Sequence, residues 1–255
     1  MKKKLITTSP ILLGGLTFFA INKYKQTKKI NEYIEQAKDH THDIKNALIL
    51  GDSVAKGYGS ANGGMANFLK AYLDEMYGEV RVMNEGILHL TSKGLHDKLI
   101  EEKEYDEKLK SANLVFINIG GNDLLQYYYK DGPKAIVKNF FKIRSQYIEN
   151  VKEIVEYIER VNPSAIIVIN NLYNSLEKQY QYYGFTNILF RLWNASMKEL
   201  SVIRVNTKEM NRNKDLWADM VHPNEAGYEV LSNLIVKELN NLIEDRVQTA
   251  KNVDL

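Results

Sequence analysis

From Asn46 onward, short apolar runs alternate with longer stretches in which apolar residues recur every three or four positions. The short runs, at 47–50, 80–83, 114–119, 165–169 and 200–205, are rich in Val, Ile and Leu, and several are apolar throughout. An unbroken apolar run marks a strand covered on both faces, whereas a half-buried strand alternates. The longer stretches, 66–77, 95–110, 134–161, 187–198 and 225 to about 243, carry helical spacing, and Asn224 stands ready to cap the last of them. This alternation predicts an α/β domain over 46–245, a five-stranded parallel sheet wound with helices on both faces, followed by a C-terminal tail at 246–255. In such sheets reacting groups gather beyond the carboxyl ends of the strands, so the residues after each apolar run are the ones to inspect.

The first 45 residues follow a different pattern. Lys2-Lys3-Lys4 precedes an uncharged stretch at 5–21, and Lys23, Lys25, Lys28 and Lys29 follow it. That order is the grammar of a secretory signal or signal anchor. No convincing small-x-small cleavage site precedes the second lysine cluster, so 1–22 is expected to be an uncleaved or inefficiently cleaved anchor holding the protein at the membrane, outside the cytoplasm; a cleaved signal, giving a secreted protein, is the alternative. Its strongest part, 11–21, is short beside the roughly 20 residues of a full span. Residues 23–45 read as a spacer, in which Ile30, Tyr33, Ile34 and Ala37 sit at helical spacing. Asp39-His40-Thr41-His42-Asp43 has metal-ligand residue types but no supporting shell, and is read as solvated linker rather than a metal site.

Charge and composition narrow the function. The formal net charge is +2, yet the first 30 residues hold seven lysines and no acid, which leaves the remainder at −5. The body therefore offers no electrostatic case for nucleic acid. The absence of cysteine excludes a disulfide scaffold, a thiolate metal site, a cysteine nucleophile and a lipoprotein anchor.

Three blocks follow the predicted strands or precede the last helix: Gly51-Asp52-Ser53, Gly120-Gly121-Asn122-Asp123, and Asp219-Met220-Val221-His222. A serine hydroxyl is a weak nucleophile and needs an adjacent base. His222 is the candidate base, and Asp219, three residues earlier, can hold its other ring nitrogen. Taken singly, these residues are a helix-capping serine, a histidine at a helix start and a surface aspartate. Together they form a catalytic constellation, and activity is expected to climb across the ordinary histidine range, near about pH 6.5.

In these blocks, their order and their spacing, the chain resembles the SGNH (GDSL-type) hydrolases over 46–245. Asn171-Leu172-Tyr173-Asn174 is similar to a turn in Gram-positive membrane-tethered lipase/acylhydrolase members. The resemblance implies a three-layer α/β/α sandwich with a flavodoxin-like five-stranded parallel sheet. It also implies hydrolysis of carboxylic esters through an acyl-enzyme on Ser53, with no cofactor. The oxyanion donors would be the Ser53 N–H, a backbone N–H after the second strand and the Asn122 amide. Asp52 and Asp123 read as structural, a loop hydrogen-bonder and a helix cap. The chain departs from the family in one place: aligning Asn84 and Thr91-Ser92 puts His89 where a glycine belongs, with Gly86 as the other source of the second donor. A positive φ at His89 would carry strain.

Aromatic clusters at Tyr127-Tyr128-Tyr129 and at Tyr180, Tyr182, Tyr183 and Phe185 are placed on the carboxyl rim, and Tyr127 and Tyr173 are candidate substrate-binding residues. Expected substrates are small-molecule, lipid or glycan esters. Cell-envelope O-deacetylation and an inactive binding module are the alternatives. A nucleotide-binding reading fails, because Gly57-x-Gly59 is followed by Asn62 where the third glycine of the fingerprint is required.

Overall fold

The computed structural model describes residues 10–212 and 214–253. Five parallel strands, β1 (Asn46–Gly51), β2 (Arg81–Gly86), β3 (Leu114–Asn118), β4 (Ile166–Asn170) and β5 (Ile203–Val205), form one sheet in the order β2-β1-β3-β4-β5. This is the flavodoxin-like order. β3 and β4 are buried along their whole length and β1 beyond its first residue, as their unbroken apolar runs require. β2, at the sheet's edge, is half exposed.

Helices cover both faces. α3 (Met65–Tyr77) and α1 (Pro10–Asp39) pack against α9 (Glu225–Val253) on one side. On the other, α7 (Pro133–Val161) packs against α4 (Ser92–His96), α5 (Asp106–Ser111), α6 (Gly121–Asp131) and α8 (Tyr183–Ser196). A short α2 (Ser53–Lys56) follows β1 directly. Strand order reverses between β1 and β3, so the crevice for chemistry opens at the ends of these two strands.

Four elements differ from the sequence expectation. The helix expected over 95–110 is interrupted: after α4 the chain makes a π-helical turn at Asp97–Glu101, then reverses at Lys103, whose φ is +53°, before α5. Residues 121–131, outside every stretch given helical spacing above, form the regular helix α6. β5 is shorter than 200–205. Its ladder to β4 starts at Val168 and Ile203, and one step below, the Ile167 N–H donates to the Tyr33 hydroxyl at 2.6 Å, while that hydroxyl donates back to the Ile167 carbonyl at 3.3 Å. Tyr33 thus takes the place of the missing strand partner. Finally, α9 runs on to Val253, through most of the stretch expected as a tail.

The N-terminal region is one helix from Pro10 to Asp39, continuous through the boundary drawn at residue 22. Residues 1–9 of the expected anchor lie outside the described residues. Within the expected spacer, Tyr33, Ala37 and Ile44 are buried in the core, which joins this segment to the domain. Among the described residues no helix is long and apolar enough to cross a membrane.

Candidate active site

β1 ends at Gly51, whose φ is +137° and whose missing Cβ would lie 1.9 Å from the Asn118 carbonyl oxygen; only glycine lets the chain turn this close to β3. Asp52 then caps α2, its Oδ1 accepting from the Val54 N–H at 2.9 Å and from the Asn118 amide at 3.1 Å. Burial pushes the Asp52 carboxyl up to about 6 against the opposing effect of these hydrogen bonds. Ser53 is the first residue of α2, so its N–H has no partner within the helix.

The loop before α9 supplies the other two members. Ser53 Oγ lies 2.8 Å from His222 Nε2, and His222 Nδ1 lies 2.8 Å from Asp219 Oδ2. The second carboxylate oxygen, Oδ1, accepts the backbone N–H groups of Val221 and His222, each at 2.8 Å. Burial works against ionisation of Asp219, but the hydrogen bonds from Val221 and His222 outweigh it and hold this carboxyl below its usual range. A charged acceptor at Nδ1 keeps the proton there and leaves Nε2 free to accept from Ser53. The loop is closed by Ala218 N–H donating to the His222 carbonyl at 2.9 Å, and Asn224 caps α9 through the Gly227 N–H at 3.0 Å, as expected.

The Asn122 amide, in the first turn of α6, donates one N–H to the Leu90 carbonyl at 3.0 Å, which fixes the side chain and leaves the second N–H to donate. His89 has a φ of +61°, the left-handed conformation that a glycine would take without cost. Its backbone N–H bonds to no group among the described residues, and its side chain is exposed. Gly86 is not the alternative donor. Its N–H donates to Asn84 Oδ1 at 2.9 Å, and it is glycine because a Cβ would lie 2.2 Å from the Lys56 nitrogen.

Asp123 does not cap α6. It is buried, and its carboxylate accepts both the N–H and the hydroxyl of Ser92, whose oxygen also accepts from Asn150. It therefore ties α6 to the start of α4, and burial pushes its carboxyl up. Tyr173 packs at a tilt against Trp217, just before the histidine loop, with ring centroids 5.2 Å apart. Desolvation by burial raises its phenol well above the ordinary range. Tyr127 packs half-buried against the core instead.

Two further contacts had only a faint trace in the sequence. The Tyr58 ring lies 4.6 Å from the His222 ring, and the Tyr228 hydroxyl donates to the Tyr58 carbonyl at 2.7 Å. Gly59 allows this approach, since a Cβ there would lie 2.5 Å from the Pro223 carbonyl oxygen. The Gly57-x-Gly59 spacing was the available signal. As for metals, His96, Asp97 and Glu101 come together, but the His96 ring nitrogens already face Asp97 and Glu153, and Lys93 pairs with Asp97. His96 is thereby a hydrogen-bonded brace between α4 and α7.

The order of the sheet and its helical layers define the SGNH hydrolase fold. The chain belongs to the GDSL-like lipase/acylhydrolase family, which it matches over residues 47–235, and is a hydrolase of that family. It is 22% identical over 219 residues to the uncharacterized protein YpmR of Bacillus subtilis (strain 168), covering 79% of this chain and 85% of that one. Among solved structures it is similar to the lipase Lip_vut3 from a goat rumen metagenome, with a TM-score of 0.67, 23% identity, and coverage of 76% of this chain and 97% of that one. It is also similar to Axe2, an acetylxylan esterase from Geobacillus stearothermophilus, with a TM-score of 0.57, 18% identity, and coverage of 77% and 94%.

Proposed function

We propose that this protein is a serine ester hydrolase that cleaves carboxylic esters through an acyl-enzyme on Ser53. One observation carries the reading: an unbroken relay from Ser53 Oγ to His222 Nε2 and from His222 Nδ1 to Asp219 Oδ2, each step 2.8 Å, at the carboxyl end of the sheet. Ser53 Oγ attacks the ester carbonyl as its proton passes to Nε2. The Asp219 carboxylate stabilises the imidazolium that results. The oxyanion receives the N–H groups of Ser53 and His89 and the free N–H of Asn122. Collapse of the tetrahedral intermediate expels the alcohol, which takes the proton from Nε2. Water then enters by the same route and releases the acid.

Acyl esters are the favoured substrates, and O-acetyl groups of cell-envelope carbohydrate are the alternative. The basic–apolar pattern of residues 1–29 supports placement at the outer face of the membrane. Hydrolysis of p-nitrophenyl esters from acetyl to dodecanoyl, by the full chain and by Ser53→Ala, tests the reading. Activity lost in the variant and greatest at long acyl chains is expected. Turnover of acetyl esters alone indicates a deacetylase, and no turnover by folded protein indicates a binding module.

A further inference from the structure

α7 carries an outward stripe at positions 134, 137, 138, 141 and 142, one helical face on which lysines and apolar residues are interleaved. Phe141 is 66% exposed and Val137 52%. α8 presents Phe185, Ile188 and Leu192 outward at helical spacing, and Ile188 is 48% exposed. The two faces adjoin. The Phe140 and Trp193 rings lie 6.2 Å apart beneath them, and the Arg144 guanidinium lies over the Phe141 ring while donating to the Leu192 carbonyl at 3.4 Å. Five apolar side chains therefore stand in water on neighbouring helices, where a solvated face would be polar.

The charges say what covers them. Residues 130–144 hold five basic residues and one acid, in a body whose net charge is −5. Elsewhere lysines pair with carboxylates, as Lys70 does with Asp74, Lys108 with Glu85 and Lys110 with Glu107. Lys134, Lys138 and Lys142 pair with no acid among the described residues. Unneutralised lysines around exposed rings complement an anionic lipid surface, with the rings entering the acyl boundary and the ammonium groups meeting headgroups. A second copy of the chain is a poorer occupant, because two-fold pairing sets these lysines against their own equivalents.

The face also leads to the site. α6, which carries Asn122, runs into α7 at Gly132. Met220, inside the Asp219–His222 loop, is 61% exposed, and its carbonyl accepts from Ser175, shortly before α8. We propose that the joined outward faces of α7 and α8 dock the protein on an anionic bilayer and bring the Ser53 crevice to the interface.

The chain has no cysteine, so Ile188→Cys gives the full chain a single site for an environment-sensitive dye, and Met76→Cys on α3 gives a control on the opposite layer. Vesicles of phosphatidylcholine alone and of phosphatidylcholine with phosphatidylglycerol are the probes. The dye at 188 is expected to shift to the blue only on the phosphatidylglycerol vesicles, and the dye at 76 on neither. Substituting Lys134→Gln, Lys138→Gln and Lys142→Gln together is expected to weaken the shifted state by about 100-fold, from roughly 1 kcal/mol per lysine. Three results overturn the proposal: no shift at 188, an equal shift at 76, or a shift without vesicles that grows with protein concentration, the mark of a second copy. Ser53→Ala carrying the same dye is expected to shift as the parent does, so docking and ester hydrolysis succeed or fail separately.

Discussion

The Tyr58 ring rests 4.6 Å from the imidazole of His222, tilted by 58°, so the residue five places beyond the proposed nucleophile supports the proposed base. Its carbonyl is held from below by the Tyr228 hydroxyl of α9. The serine and histidine segments are thus locked to each other directly, not only through the sheet. Tyr58→Ala is expected to lower kcat about 10-fold by loosening the imidazole, with KM for a small ester little changed, and Tyr58→Phe to restore the rate. Equal loss in both variants would show that stacking is not what matters.

Asn122→Ala removes one proposed oxyanion donor and leaves the Leu90 carbonyl without its partner. A fall in kcat of about 10²–10³ is expected, measured by initial rates on a soluble ester. A change confined to KM would place Asn122 in ground-state binding instead.

In the proposed oxyanion hole the donor at position 89 is the backbone N–H, so the His89 side chain is expected to be dispensable. His89→Gly is expected to keep the ester hydrolysis rate and to raise stability by up to about 1 kcal/mol, because relief of the left-handed strain exceeds the added chain entropy of glycine. Urea unfolding reads the stability; a rate that collapses in this variant would assign the imidazole a role.

Asp52 bears on stability against pH. Its folded-state carboxyl is raised to about 6, so the folded protein holds this proton more tightly than the unfolded chain. Its contribution is fully present below about pH 4 and is lost as pH rises through about 6. Asp52→Asn keeps an acceptor for Val54 and Asn118 without the charge. It is expected to be more stable than the parent at pH 7 by about 2–3 kcal/mol, with the difference shrinking toward pH 4. Urea midpoints at pH 4, 5, 6 and 7 check this, and a difference that does not vary with pH refutes it.

Tyr33→Phe leaves the Ile167 N–H and carbonyl without their partner. A loss of about 1–3 kcal/mol is expected from thermal unfolding, with kcat unchanged because the site lies at the other end of the sheet.

Much of this was legible in the chain. Short apolar runs located all five strands, the residues that follow the first and third located Ser53 and Asn122, and the segment ahead of the last helix located His222, because the parallel sheet places its chemistry at its carboxyl end. The histidine in a glycine position was also visible, and its positive φ follows from the loop it occupies. What escaped were features that depend on partners distant in sequence. Gly120-Gly121-Asn122-Asp123 reads as a loop because glycine and asparagine are weak helix formers, yet packing against α7 makes it the start of α6. The break after α4 turns on a left-handed lysine at 103, which no propensity announces. Asp123 was read as a local cap, but its partner, Ser92, lies 31 residues away. The pairing of Tyr33 with Ile167 spans 134 residues and has no periodic trace.

That last pairing bears on how the sheet is kept from associating with other chains. Below Val168, β4 has β3 on one side but no strand on the β5 side, and its backbone groups there are an open edge of the kind that templates unwanted strand addition. Tyr33 is the stopper. A fragment beginning at Asn46 retains every residue of the proposed relay yet uncovers that edge, so it will tend to self-associate, whereas one beginning ahead of Tyr33 keeps the edge closed.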